Sequence, residues 1–329
     1  MPPVPPVEDR EFQRSVEPYR RELRAHCYRM LGSWTDAEDL LQEALLKAWR
    51  GWDSFEGRAS LRAWLYRIAT NACLDELDKR PRRLEPRTNA PPADPAAPLA
   101  PPILEPVWLE PAADDLLELS TEPGPDSTVT ARESVALAFL SALQLLPPRQ
   151  RAVLLLREVL GWSAAEVAEL LEMSVPAVNS ALQRARATLD ESERPPRAGR
   201  PAADADEQAL LGRYVRAWET ADPAALISVL RADASMAMPP MPAWYQGATT
   251  IGAFLTGLWG PAGAGRFKLV PTRANGCPAF AYYERDKAGT LRAGGLQVID
   301  VQAGAIVAID CFLDPRLPVR LGLPETLPG

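Results

Sequence analysis

The chain has 329 residues, room for two or three domains, and its 47% hydrophobic and 24% charged content is that of an ordinary globular protein. One histidine, His26, leaves almost no material for histidine-based acid–base chemistry, and four scattered cysteines without a CxxC pair read as buried thiols rather than a zinc or disulfide framework. A net charge of −7 is the wrong sign for a protein that holds DNA unaided, so a nucleic-acid function requires a partner to supply positive surface.

Residues 1–9 are expected to be a disordered tail, with no signal-peptide core and no apolar run of membrane-spanning length anywhere after it, which implies a cytoplasmic protein. From Glu11 to Leu77 the apolar spacing is helical. Gly32-Ser33 ends a first helix, and Thr35 or Asp36 is expected to cap a second. That second helix turns Leu40, Leu41, Ala44, Leu45 and Ala48 inward and gathers Asp36, Asp39, Gln42 and Glu43 into an acidic patch. The patch suits either the helix dipole or a basic partner. A loop, Asp53–Ser60, precedes a third helix, Leu61–Leu77, which mixes Trp64, Tyr66 and Asn71 with Arg62 and Arg67. Rings for stacking beside cations for the backbone are what single-stranded DNA requires. Most of these rings are nonetheless expected in the core, Trp49 and Trp64 between helices.

Prolines punctuate Pro81–Ser134 too densely for a regular core, although Ile103–Leu119 carries Trp108 and several leucines among acids. A short helix is expected at Asp114–Leu119, in an extended spacer or packed on the C-terminal domain. Arg149–Leu189 then reads helix, helix, turn, helix. Ser163 and Glu166 form a capping box, and Val167, Leu170 and Leu171 face one way. In Val175–Leu189, Val178, Leu182, Ala185 and Leu189 define the buried face, and Asn179, Ser180, Gln183, Arg184 and Arg186 the opposite one. This is the form of a helix-turn-helix, or else of three packed helices with a solvated basic face.

After a second Pro/Arg-rich linker the pattern changes. Helices are expected at Ala205–Ala221, Pro223–Arg231 and Thr249–Leu258, and strands at Ala232–Met238, Phe267–Ala274, Ala279–Arg285, Thr290–Val301 and Ala305–Leu313, an α+β cone. Met236, Met238, Met241, Trp244, Tyr245, Trp259 and Tyr282 either line an apolar pocket or serve as core and rim. Asp233, Glu284, Asp300 and Asp310, with no histidine beside them, form no assignable acid–base pair, so no catalytic residue is named.

Two long runs carry a family resemblance. DAEDLLQEALLKAWRGWDSFEGRASLRAWLYRIATNACLDELDKRPRR resembles the second conserved region of bacterial sigma-70-type sigma factors, and ALQLLPPRQRAVLLLREVLGWSAAEVAELLEMSVPAVNSALQRARATL their fourth. The order, with no third helical domain between, resembles the extracytoplasmic-function class. The resemblance implies that Asp36, Glu38, Asp39, Gln42 and Glu43 grip the clamp helices of the polymerase β′ subunit. It implies that Phe55, Glu56, Gly57, Arg58, Ser60 and Asn71 capture a flipped base of the −10 element, with Arg62, Arg67 and Lys79 on the DNA backbone. Val175, Ala177, Asn179, Ser180, Gln183, Arg184 and Arg186 would read the −35 element, Leu143–Leu156 would seat on the β flap, and the linker would thread the active-site cleft. The acidic charge then has a reason: the core enzyme supplies the affinity. More loosely, YVRAWETADPAALISVL, DASMAMPP and WYQGATTIGAFL resemble a SnoaL-like, NTF2-like domain.

The expected organisation is a tail (1–9), a helical sigma domain (10–83), a linker (84–131), a second all-α sigma domain with the helix-turn-helix (132–190), a linker (191–204) and the cone-shaped α+β domain (205–329). The implied partners are the polymerase core, through its β and β′ subunits, and promoter DNA, with an unidentified small ligand in the C-terminal domain left open and no metal, cofactor, membrane or enzymatic step. The rival readings are a ligand-sensing helix-turn-helix regulator and a SnoaL-like cyclase or isomerase fused to a DNA-binding unit.

Overall fold

The computed structural model describes residues 7–55, 57, 60–79, 83, 86–104, 108–117, 136–190, 205–261 and 263–328. Its N-terminal unit contains α1 (Val7–Val16), α2 (Arg20–Leu31), α3 (Trp34–Arg50) and α4 (Leu61–Leu77). Helix α1 therefore begins inside the stretch expected to be a tail, and residues 1–6 lie outside the described residues. Leu23, Cys27, Met30, Leu41, Leu45, Leu65, Ala69 and Cys73 form the core between α2, α3 and α4. Trp64 is half-buried, as the periodicity requires, but Trp49 is 48% exposed and not core: it lies outside the packed stripe of α3, which runs through Leu41, Ala44, Leu45 and the fully buried Ala48.

Helix α2 stops at Gly32, left-handed at φ 70°, whose N–H donates to Tyr28 O at 2.8 Å. The cap of α3 is Ser33, two or three positions earlier than expected. Its extended backbone lets Oγ accept from Asp36 N at 3.1 Å, which puts Thr35 and Asp36 inside the first turn. Helix α4 has the expected bounds, with Ser60 Oγ accepting from Ala63 N.

The linker holds a single-turn helix α5 (Pro86–Asn89). Where a helix was expected from Asp114, residues 114–117 instead form a hydrogen-bonded turn, and 118–119 lie outside the described residues. The reason is tertiary. Ala113 bridges Ala274, Asp114 N donates to Arg273 O, and the Asp114 carboxylate accepts from Gly276 N and the Arg273 guanidinium.

The second helical unit has α6 (Leu137–Leu145), α7 (Pro148–Leu154) continued by a π turn (Leu155–Val159), α8 (Ala164–Leu170) and α9 (Val175–Asp190). The capping box forms as expected, with Ser163 and Glu166 each bonding the other's backbone. Leu140, Leu143, Leu146 and Leu155 join the core of the N-terminal unit without a break.

The C-terminal unit has α10 (Ala205–Glu219), α11 (Pro223–Ile227), α12 (Ala248–Trp259) and α13 (Arg316–Arg320). Its strands are β1 (Leu230–Ala237), β2 (Trp244–Gln246), β3 (Phe267–Ala274), β4 (Cys277–Arg285), β5 (Leu291–Gln302), β6 (Ala305–Phe312) and β7 (Thr326–Leu327). Helix α11 ends four residues short of the expected Arg231, because β1 already starts at Leu230. The sheet order is β2-β1-β6-β5-β4-β3, with β1 and β6 parallel, the other pairs antiparallel and β7 on β5. A bulge opposite Tyr282 and Tyr283 bends β4–β5. Gly295 sits at this bend with φ 155°, and a Cβ there would lie 2.0 Å from Phe312 O. Helices α10 and α12 cover the concave face through Tyr214, Trp218, Ile251, Phe254 and Trp259. The other face, through Leu296, Val298 and Phe312, joins the helical core.

Candidate functional site

Three surfaces hold the residues singled out from the sequence. On α3, Asp39, Gln42 and Glu43 are exposed, whereas Asp36 and Glu38 are engaged. Asp36 is ion-paired with Arg83, a buried residue whose other amino group donates to Trp108 O at 2.8 Å. Glu38 pairs with Arg24 at 3.4 Å, and Arg24 lies over the Trp34 ring. The exposed stripe does not stop at Glu43: Leu46 is 55% exposed and Trp49 48%, so acids and apolar side chains share one outward face. The sequence reading missed both apolar members, although their three-residue spacing from Glu43 was there to be followed. It also missed Glu110. This linker carboxylate accepts from Ser33 Oγ (2.7 Å), Thr35 N (3.0 Å) and Thr35 Oγ1 (2.8 Å), and it is ion-paired with Arg320 of α13. A carboxylate at the start of a helix meets the positive end of its dipole.

At the second surface Phe55 is tilted against Trp64, with centroids 4.9 Å apart, and stacks on Trp52 at 6.0 Å. Gly57, left-handed at φ 68°, and Ser60 are exposed, and Glu56 and Arg58 lie outside the described residues. Arg67 and Asn71 on α4 are exposed, as is Lys79 just past its end, 4.0 Å from Glu76. Arg62 is half-buried and bonded to both carboxylate oxygens of Glu22 at 2.8–3.1 Å, which raises its pKa. Tyr66 is buried, and burial raises its pKa. Behind this face His26 is buried, its Nε2 2.9 Å from Thr70 Oγ1, and desolvation lowers its pKa to about 3. It is a neutral core side chain.

The third surface is α9. Val178, Ala181, Leu182 and Ala185 pack against α7 and α8. Val175, Asn179, Ser180, Gln183, Arg184 and Arg186 are exposed and Ala177 half-exposed. Arg186 is held by Glu158 at 2.5 Å. By contrast Leu143–Leu156 is turned largely inward. Arg151, 1% exposed, donates to Met30 O in the N-terminal unit and to Gln144 Oε1 at 2.8 Å.

In the C-terminal unit Met236, Met238, Tyr245, Trp259 and Tyr282 are buried in side-chain packing. Tyr245 stacks on Phe254 at 4.2 Å, Trp259 meets Trp218 edge-on at 5.2 Å, and Trp244 donates its indole N–H to Ala90 O in the linker at 2.7 Å.

The family Sigma-70 region 2 matches residues 16–83, and Sigma-70, region 4 matches residues 136–189. The ECF RNA polymerase sigma factor SigG of Mycobacterium tuberculosis strain H37Rv is 46% identical, over 98% of this chain and 87% of its own length. The SigM factor of the same species is 38% identical over 54% of this chain and 74% of its own. Among solved structures, the extracytoplasmic function sigma factor SigJ of Mycobacterium tuberculosis superposes with a TM-score of 0.60 at 23% identity, covering 95% of this chain and 99% of that one. Helical units matched by both sigma regions, followed by a sheet domain within a full-length relationship of this identity, place the chain in the extracytoplasmic-function family of RNA polymerase sigma factors.

Proposed function

We propose that the three surfaces divide the work of promoter recognition. The α3 stripe Asp39, Gln42, Glu43, Leu46 and Trp49 docks on the polymerase core, at the clamp helices of β′. The loop from Phe55 to Ser60, with Arg62, Arg67, Asn71 and Lys79, takes the −10 element. The outward face of α9 reads the −35 element from the major groove. In this assignment residues 10–83 and 132–190 are the two promoter-binding units, the protein acts in the cytoplasm, and the cone domain is a fused regulator with no enzymatic step.

The observation that carries the reading is the α3 stripe. Its leucine and tryptophan are large apolar side chains left about half exposed on a helix whose opposite face is fully packed, and exposed apolar side chains grouped with acids mark an interaction surface. Acids beside exposed aromatics suit a basic, partly apolar protein surface better than DNA. Asp39→Lys with Glu43→Lys should weaken capture of core polymerase by about tenfold or more while leaving the melting temperature unchanged, since both residues are exposed. Capture equal to wild type would remove the clamp assignment.

The regulatory assignment has its own support. Linker residues Ala90 and Ala93 bond Trp244, Ile103 bonds Pro240, and Arg87 is ion-paired with Asp310 on the outer face of the sheet. A linker held on the cone domain is not free to enter an active-site cleft, so the domain controls when it does.

A further inference from the structure

Resting on the assignment of the loop from Phe55 to Ser60 to the −10 element, we infer that Phe12 of α1 is a positioning residue for base capture. The match to Sigma-70 region 2 begins at residue 16, so Phe12 precedes it. Of residues 10–16 in α1, Phe12 and Val16 alone are buried, one turn apart, and they anchor the helix. Phe12 sets its ring edge-on to Trp52, with centroids 5.2 Å apart and planes at 78°. Trp52 opens the single turn Trp52–Ser54 that follows α3, and it stacks on Phe55 at 6.0 Å. Phe55 in turn lies 4.9 Å from Trp64 of α4. The rings thus run in order from α1 to α4, and Phe55, between Trp52 and Trp64, is the first residue of the loop.

Local bonds alone hold this loop weakly. Its entry has two backbone bonds, Ser54 N to Gly51 O at 3.1 Å and Phe55 N to Trp52 O at 3.0 Å, and at Phe55 the backbone is already extended, with ψ 95°. Two residues on, Gly57 is left-handed and exposed. One isolated turn lacks the cooperativity of a helix, so the rings set the direction in which the chain leaves Phe55. Trp52 and Trp64 are each only half-buried, and the buried Phe12 braces Trp52 from outside the α2–α4 helices. A flipped base is held at lower entropic cost by a loop already in its binding shape than by one that must first be ordered. In this arrangement Phe12 touches no DNA. It acts through Trp52 and Phe55.

The test uses holoenzyme and a fluorescent single-stranded oligonucleotide carrying the −10 element of a promoter that the holoenzyme transcribes, either intact or with an abasic site at each position in turn. In wild type the captured base is the position where an abasic site costs most; if no position stands out, the loop assignment itself fails. Phe12→Leu keeps an apolar side chain in place and removes the ring. It should bind the intact oligonucleotide about fivefold more weakly than wild type and the one lacking the captured base equally well, so that the penalty for the abasic site shrinks by the same factor. A residue that only packs would change both affinities together or neither, and either result overturns the inference. Val16→Ala loosens the same helix at its other anchor without removing a ring, and an equal shrinkage there also overturns it. Because the readout is a ratio of two affinities from one preparation, a smaller folded fraction does not imitate the effect.

Discussion

At the scale of single residues, burial decides which ionisable groups belong to the fold and which to the surface. His26 is protonated near pH 6.5 in an unfolded chain but only near pH 3 in the folded one, because desolvation disfavours its charge. Between those values the unfolded state binds the extra proton, so stability falls as pH falls through this window, by about 1.4 kcal/mol per unit once well below pH 6. Urea midpoints of wild type and His26→Gln, compared from pH 7 to pH 4, should diverge at the upper end and converge toward the acid end; parallel curves would contradict the buried neutral imidazole. Gln183 and Arg184 present the opposite case, being exposed on α9 with nothing in the fold that requires them there. Replacing either by alanine should leave stability unchanged. Loss of a base contact should cost about 1–3 kcal/mol at one promoter position, and loss of a phosphate contact should weaken all sequences alike. Competition binding of the holoenzyme on a library of −35 variants distinguishes the two outcomes.

At the scale of elements, the α2–α3 corner shows a local signal doing more than ending a helix. Gly32 is legible in the sequence as a helix stop, and it is one. Its lack of a side chain also lets the linker approach: a Cβ there would lie 2.6 Å from Leu109 Cδ2 and 3.0 Å from Gln144 Nε2, so three segments meet over this glycine. Gly32→Ala should therefore cost more than the roughly 1 kcal/mol of a left-handed alanine, because Leu109 must also move. Thermal unfolding measures the cost, and faster amide exchange at Leu109–Glu110 should accompany it. A loss confined to the backbone penalty, with linker exchange unchanged, would mean that Leu109 relaxes freely. The capping box at Ser163, the bounds of α4 and the buried face of α9 were all legible, because each depends on neighbours within one or two turns.

At the scale of the whole molecule, Asn275 is the meeting point of linker, cone and first helical unit. It is buried, its Oδ1 accepts from Ala112 N at 3.0 Å, and its Nδ2 donates to Tyr28 Oη at 2.7 Å, which in turn donates to Glu110 O at 2.9 Å. Asn275→Asp turns the donor into an acceptor and places a charge in a buried site near Asp114 and Glu110. The expected result is a loss of about 1–3 kcal/mol and increased exchange and protease cleavage across residues 108–117, with α9 unaffected. Unchanged protection of that segment would show that the cone domain does not hold the linker through this residue.

The sequence by itself determined the helical units, their order, the turn between the recognition helices and the outward side chains of α9, since hydrophobic periodicity and capping are local and survive any arrangement of the units. It also carried the strand pattern of the cone, apart from the short β2 and β7, which exist only because β1 and β5 offer them an edge. Tertiary structure decided what contacts across long separations alone can set. Asp36 is removed from the acidic patch by Arg83, Asp114 is drawn out of a helix by Arg273 and Gly276, and Leu46 and Trp49 stay exposed outside the packed stripe of α3 that ends in Ala48. The same cause places Trp162 on Tyr66. Nothing in either local segment specifies that meeting, and only the shared core of the two helical units brings the rings together.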